Sequence, residues 1–453
     1  MSFQQGLSGL SAAAKNLEVI GNNISNANTI GAKSSRAEFS DMYASAVGGS
    51  GGVGIGSRLA AVTQDHTQGS ITTTGSNLDL AINGKGYFQV QDTSVAGGAG
   101  TGGEISVLYA RNGQFKSDRE GFIINNDGMR LLGYPADEAG NIRSGQLDAL
   151  KIPSSRIEQK ATTRVDMAFN LDAADPSKKL DFRPDEGGSF NYSTSLKVID
   201  RAGKDVQLSL YFRKETSNVW AVYATANGVT VTADADAAPE KGGFIGRIDF
   251  RDSKDGSGPP KVTLSNGAPA PVDAARPQLT VDGTRLAAML NDPALNKSKP
   301  AGVDYAFENM SVDLMGATQR AGDYLVGTTR QDGYPVGTLS SFSFDKAGIL
   351  TARYSNGEVR QTAQLALATF RNPQGLTPAG GNAWAESKDT GAKSMSVPGS
   401  GSTGEIMAGA LEESNVDVTA ELVSLITAQR TYQANAQSIK TQDQVMQSFV
   451  NMR

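Results

Sequence analysis

The chain begins and ends on the same helical beat. Near the C-terminus, Val418, Leu422, Leu425, Tyr432, Ala436, Ile439, Met446 and Val450 recur at alternating spacings of four and three, with Gln429 and Asp443 as polar interruptions. Near the N-terminus, Phe3, Leu7, Leu10, Ala14, Leu17 and Ile24 keep the same rhythm, with Gly21 as the gap. Such spacing lines up one narrow seam on an α-helix, the coiled-coil pattern. Seams at opposite ends of one chain meet only if everything between them folds back. The expected architecture is therefore α+β and mostly β. Paired N- and C-terminal coiled-coil helices are predicted, with nested β-rich domains inserted between them.

The first helix is poor helical material. Gly6, Gly9 and Gly21 each cost about 1 kcal/mol against alanine, and a helix of that length is marginal alone. This predicts termini that are largely disordered in a free monomer and order when copies pack. The last helix is predicted to start near Ser414 or Asp417. Asp417 and Glu421 fall in its first turn and Lys440 and Arg453 towards its end, an order that suits the helix dipole.

Between the helices the period changes to two. Leu78, Leu80 and Ile82 alternate, Asn83-Gly84 reads as a turn, and Phe88 and Val90 alternate after it, which predicts a hairpin. Phe122-Ile123-Ile124 and Met129 to Leu132 flank the turn Asn125 to Gly128. Leu196 and Val198 flank a turn with Val206, Leu208, Leu210 and Phe212, and Trp220 to Tyr223 continue that sheet. Phe342, Phe344, Ile349 to Tyr354 and Gln364 to Phe370 resume the strands. The resulting division is a terminal helical core of 1–28 and 414–453, a connector of 29–70 and 385–413, a discontinuous inner β domain of 71–150 and 323–384, and an inserted outer β domain of 151–322.

Composition removes several classes of chemistry. The absence of cysteine excludes disulfides, thiolate catalysis and cysteine-ligated zinc. The one histidine, His66, lies in the polar stretch Gln64 to Gln68 and reads as an exposed turn. Gly49, Gly51 and Gly54 match G-x-G-x-x-G without the strand, helix and acidic partner a dinucleotide site needs, and Gly84-Lys85 lacks the upstream glycine of a phosphate loop. Asp200, Asp205, Asp249, Asp252 and Asp255 are scattered and read as turn residues. No catalytic, cofactor or metal site is predicted. The net charge of −5 argues against nucleic acid as a partner. No apolar run has the length that membrane insertion requires, and the start lacks the basic and apolar blocks of a cleaved signal peptide.

Two long motifs then carry a resemblance. Met1-Ser-Phe-Gln-Gln-Gly-Leu-Ser-Gly-Leu10 with Asn16 to Asn28, and Gly409-Ala-Leu-Glu-Glu-Ser-Asn-Val-Asp417 through Tyr432 to Arg453, resemble the two ends of the bacterial flagellar axial proteins of rod and hook. Leu132-Gly-Tyr-Pro-Ala136, Phe370-Arg-Asn-Pro-Gln-Gly-Leu376 and the long β insertion look like the hook members of that family. The resemblance implies a structural subunit, not an enzyme. It would self-assemble into a flexible helical tube that transmits torque from rod to filament. The implied partners are further copies of itself, the distal rod protein, the hook cap protein, the hook–filament junction protein, the hook-length control protein and the type III export gate. The implied location is the extracellular flagellum, reached without a cleaved signal.

The assembly core would be Phe3, Leu7, Leu10, Leu17, Ile24, Val418, Leu422, Leu425, Tyr432, Ile439, Met446 and Val450. An export signal of the Phe-x-x-x-hydrophobic type is matched by Phe39 and Tyr43. Ala32 stands where the family usually has an aromatic. A hook bends as it rotates, so glycine-rich connectors would serve as hinges between sliding bodies. The hinge candidates are Gly48, Gly49, Gly51, Gly52, Gly54 and Gly56, with Gly399–Gly404 on the return path. A distal rod subunit sharing both ends, and a secreted β-rich adhesive or carbohydrate-binding protein, are the alternatives.

Overall fold

The computed structural model describes residues 2–42, 56–92, 106–137, 140–153, 156–231, 242–250, 260–264, 277–297 and 299–451. Gly48, Gly49, Gly51, Gly52 and Gly54, with Tyr43, Asp252 and Asp255, lie outside them. The described part is mostly β-strand. Its helices are α1 (Ser2–Ser25), α2 (Gly283–Asn291) and α3 (Val418–Asn451), beside short 3-10 turns. The chain divides into two compact units. Unit 1 comprises Met1–Ser154, Ser340–Arg353 and Val359–Arg453, and unit 2 comprises Ser155–Leu339 and Tyr354–Glu358.

Unit 1 contains both chain ends. Asp417 caps α3, its side chain accepting from the amides of Thr419 (2.9 Å) and Ala420 (3.1 Å). A two-stranded antiparallel ribbon, Ser35–Met42 with Gly56–Gln64, packs against α1. Two further pairs bring distant sequence together. Ile71–Thr73 pairs with Ala410–Glu412, and Leu80–Asn83 pairs with Glu405–Ala408.

The latter pairing corrects the predicted Asn83-Gly84 hairpin. Gly84 and Gly86 adopt φ of +119° and +133°, a region open chiefly to glycine. They turn the chain out of one strand pair and into another sheet. There Tyr87–Gln91 pairs with Val107–Ala110, Leu367–Phe370 and Arg130–Pro135. Both faces of that strand are covered. Phe88 and Val90 enter a core with Leu80, Ile82, Ile123, Leu131, Leu365 and Leu367, while Tyr87 enters a smaller aromatic core with Tyr109, Phe370 and Trp384. The turn at Asn125 forms as the sequence predicts, with Ile124 opposite Arg130 and the Asn125 side chain accepting from the amides of Asp127 and Met129.

Unit 2 contains two sheets around one core. In the first, Arg164–Asp172 runs parallel to Met310–Arg320 and antiparallel to Leu325–Gln331, with Gln278–Val281 on the far edge. Residues 323–339, grouped by pattern with the inner β domain, therefore belong with this unit. The second sheet is a meander of Tyr192–Ile199, Asp205–Thr216, Val219–Ala226, Phe244–Asp249 and Lys261–Leu264. Strict alternation explains the fit: Val206, Leu208, Leu210 and Phe212 are all buried against Trp220, Phe169 and Leu171. Leu286 and Leu290 of α2 complete that core. Asp200 lies in a turn but is fully buried, its Oδ1 accepting from the amides of Ala202 and Lys204. Asp205 is on the surface, paired with Lys197.

Candidate functional site: the terminal helix pair and its base

Helices α1 and α3 pack antiparallel, and small residues set their approach. A side chain built at Gly6 would meet Ile439 at 3.0 Å, and one at Gly9 would meet Asn435 at 3.1 Å. Further along, Asn23 of α1 reaches Glu421 of α3. Gly6, Gly9, Ala13, Ile20 and Asn23 thus share the inner face of α1, and Glu421, Leu425, Ala428, Asn435 and Ile439 share that of α3. Both series keep the 3–4 rhythm of a helical seam.

The seam inside the chain is therefore offset from the one the apolar residues predicted. On α1, Ala13 and Ile20 are buried, whereas Leu7 is 52% exposed. On α3, Leu425 and Ile439 are half-buried, and Val418, Leu422, Val423, Ile426, Tyr432 and Met446 are exposed, Met446 by 64%. Leu10, Leu17 and Ile24 are half-buried. Phe3 and Val450 lie within α1 and α3. The physical reason for the offset is steric. Two glycines and an alanine allow the backbones to approach closely, and the larger apolar side chains are displaced to the flanks.

The base of the pair is polar and tightly bonded. The Asn23 amide donates to Glu421 Oε1 (2.9 Å) and to the Ser35 carbonyl (2.7 Å), while its oxygen accepts from the Ser35 amide (2.8 Å). Asn415 accepts from the Ser34 amide (2.8 Å) and donates to the Asp65 carbonyl (2.8 Å). Beneath lies a buried ion triad. Lys33 Nζ is 2.6 Å from Glu412 Oε1, and Arg111 Nη1 is 2.8 Å from Glu412 Oε2. Lys33 also donates to the Thr67 carbonyl (2.6 Å), and Glu412 accepts from the Gly69 amide (3.0 Å). Burial holds the Lys33 ammonium below its ordinary pKa, and Glu412 opposes that shift.

His66 is not an exposed loop residue. Its ring lies edge-on to Tyr87 and Trp384, at 6.0 and 5.5 Å between centroids. Burial, then the nearby Lys33 and Arg111 charges, push its pKa down to about 4.

The described connector glycines hold fixed contacts. Gly56 begins a strand opposite Met42, with φ of +135°, and a Cβ there would overlap the Ser8 hydroxyl of α1. The Gly399–Gly404 stretch is a closed turn, the Gly399 amide donating to the Gly404 carbonyl (3.0 Å) and the Gly404 amide to the Lys85 carbonyl (2.7 Å). Phe39 is exposed on the ribbon. Among the described residues no group of three His, Cys, Asp or Glu is placed to hold a metal, and no helix is long and apolar enough to cross a membrane.

Sequence reasoning did not find the Lys33–Glu412–Arg111 triad. Lys33 and Glu412 lie within or beside the two terminal motifs, which was the available signal, but nothing local links them to Arg111.

Comparison with known proteins gives a consistent set of matches. Residues 3–33 match the family described as flagella basal body rod protein, and residues 81–167 the flagellar hook protein FlgE/F/G D1 domain. Residues 170–334 match the flagellar basal body protein FlaE D2 domain, and residues 407–452 the flagellar basal body rod FlgEFG protein C-terminal family. The chain is 36% identical over 456 residues to flagellar hook protein FlgE of Salmonella typhimurium, with all of both chains covered. It is 30% identical over 499 residues to that of Treponema pallidum, covering 100% of this chain and 99% of the relative. The crystal structure of Helicobacter pylori flagellar hook protein FlgE2 aligns with 74% of this chain and 98% of its own, at 13% identity and a TM-score of 0.48.

Proposed function

This chain belongs to the flagellar hook protein FlgE family, and from that premise we propose that it polymerises through the apolar flanks its paired terminal helices leave uncovered. Its function is that of a structural subunit of the bacterial flagellar hook, a self-assembling, flexible helical tube that carries torque from rod to filament. The observation supporting the mode of assembly is the exposed apolar group near the start of α3, Leu422, Val423 and Ile426, which the intramolecular seam leaves uncovered. Exposed apolar side chains grouped in this way mark an interaction site. Copies that bury it would gain roughly 25 cal/mol per Å² of apolar area removed from water.

On this reading Leu7, Leu10, Leu17, Ile24, Val418, Leu422, Tyr432 and Met446 of the assembly core face other copies, while Leu425 and Ile439 close the seam within the chain. Phe3 and Val450 extend the assembly core at the helix ends. Partners beyond further copies would be the distal rod, hook cap, hook–filament junction and hook-length control proteins. The subunit would leave the cell through the type III export gate, with Phe39 and Tyr43 as the signal element, and act outside the cell without catalysis. The hinge role falls to the glycines at 48–54. Gly56 and Gly399–Gly404 are anchored by their own contacts and would serve as the fixed ends of that path.

Electron microscopy of the full chain beside Leu422→Asn/Ile426→Asn, both under polymerising salt with nucleating ends supplied, tests this. Curved tubes from the parent and none from the variant, with α-helical content unchanged, are expected. Equal polymerisation of the two would overturn the assembly mode, and straight rigid tubes from the parent would favour the rod alternative.

A further inference from the structure

Beside the triad, unit 1 has an open cleft of about 440 Å³ whose lining includes Lys85, Arg111 and Arg371 and contains neither aspartate nor glutamate. We propose that this cleft is an oxyanion-binding pocket, taking a phosphate-type ion or the carboxylate of a second copy of this chain.

The first argument is charge balance. Two buried cations, Lys33 and Arg111, share the single carboxylate of Glu412, so the buried triad carries one net positive charge. Asp65, which also acts on Lys33 and His66, is exposed and its Oδ1 already accepts from the Thr67 amide. Lys85 and Arg371 are both exposed at the cleft, and neither forms an ion pair among the described residues. Excess positive charge beside a partly desolvated pocket favours an anion far more strongly than the same charges would in open water.

The second argument is unmet hydrogen bonding. Arg111 is 4% exposed, with Nη1 on Glu412 and Nη2 on the Gly84 carbonyl (2.8 Å), yet its Nε is buried without a protein acceptor. His66 Nδ1, in the same lining, is also buried without a partner. A buried polar group left unpaired is costly, and both residues carry unused hydrogen-bonding capacity at the wall of this cleft. Ser394 and Ser402 in the lining supply hydroxyl donors, and the turn carrying Lys85 is flanked by Gly84 and Gly86, whose backbone lets the chain pass close to the cleft wall. Tyr87 and Phe370 close one side with aromatic surface. That combination suits a small anion better than an extended apolar ligand.

His66 is the only histidine in the chain and lines the cleft, so its imidazole nitrogens report occupancy directly. The experiment is a nitrogen-15 histidine NMR titration of the full chain below its polymerising concentration. Inorganic phosphate is added at constant ionic strength against a sodium chloride control. Saturable movement of the His66 resonance with phosphate alone, weakened at least tenfold in Lys85→Gln/Arg371→Gln, supports a pocket for a free oxyanion. Solid-state spectra of the assembled full chain in phosphate-free buffer form the second arm. A His66 resonance displaced from its free-chain position, and restored in the assembled Lys85→Gln/Arg371→Gln variant, supports a carboxylate from a second copy. This arm alone rests on the polymer reading. No displacement of the parent's resonance in either arm, or equal displacement in a double variant whose thermal unfolding matches the parent, overturns the proposal.

Discussion

Lys33 Nζ lies 2.6 Å from a carboxylate oxygen of Glu412, a partner 379 positions away in sequence, and both side chains are fully buried. The pair joins the exit of the first helix to the approach of the last. It does so beneath the point where Asn23 and Asn415 tie the same two segments to the ribbon. Closing the chain end to end thus depends on polar groups under the helices as well as on the helical seam.

Removing the shared anion leaves two buried cations facing each other. Glu412→Ala is expected to cost about 3–5 kcal/mol, the range for breaking a buried pair. Lys33→Met is expected to cost less, because Arg111 keeps its partner and the methionine fills the space. Urea unfolding of the three chains checks this. A Glu412→Ala loss below about 1 kcal/mol, or a larger loss in Lys33→Met, would show that the triad does not hold the base.

Asn23 completes one hydrogen-bonded bridge between α1, the ribbon and α3. Asn23→Ala is expected to lose about 1–3 kcal/mol, since Ser35 is left partly unsatisfied. Amide exchange should accelerate first at Ser35 and along the ribbon. Unchanged protection there would mean the bridge is incidental to docking the ribbon.

The pH dependence has a definite sign. His66 has a folded pKa of about 4 against 6.5 for a free imidazole. Between those values the unfolded chain binds the proton and the folded chain does not, so stability falls as pH is lowered from 6.5 towards 4. The loss is up to about 3 kcal/mol, trimmed to about 2 by solvent screening at the partly open ring. His66→Gln should flatten that window. A parent and variant with parallel stability profiles would refute the assignment.

Pairing within the chain and assembly between chains are separable. Gly9→Ile would drive a branched side chain into Asn435 and part the helices, lowering α-helical content wherever the pair has formed. Leu422→Asn/Ile426→Asn should leave that content intact and abolish polymers. Circular dichroism with sedimentation distinguishes the two.

The same spectra, taken across concentration, test the ordering of the ends. If the termini order only on packing between copies, helical signal rises with assembly and truncating 1–24 and 418–453 costs a dilute monomer none. A dilute full chain already at its assembled helical content would place the ordering within the single chain.

Local periodicity carried the parts of this architecture that were legible without coordinates. A 3–4 rhythm at both ends required two helices with apolar stripes, and strict alternation at Val206 to Phe212 required a strand with one buried face. Both follow from local geometry and hold wherever the element is placed. Tertiary structure decided which stripe faced inward. Gly6, Gly9 and Ala13 carry almost no hydrophobic signal, yet they set the helix contact because only small side chains permit that approach. It also decided the fate of Asn83-Gly84, where a strong hairpin signal was overridden by a partner strand at Glu405–Ala408. The Lys33–Glu412–Arg111 triad and the half-buried His66 were invisible for the same reason. Their chemistry depends on neighbours brought together by folding, and no local spacing records distances between residues hundreds of positions apart.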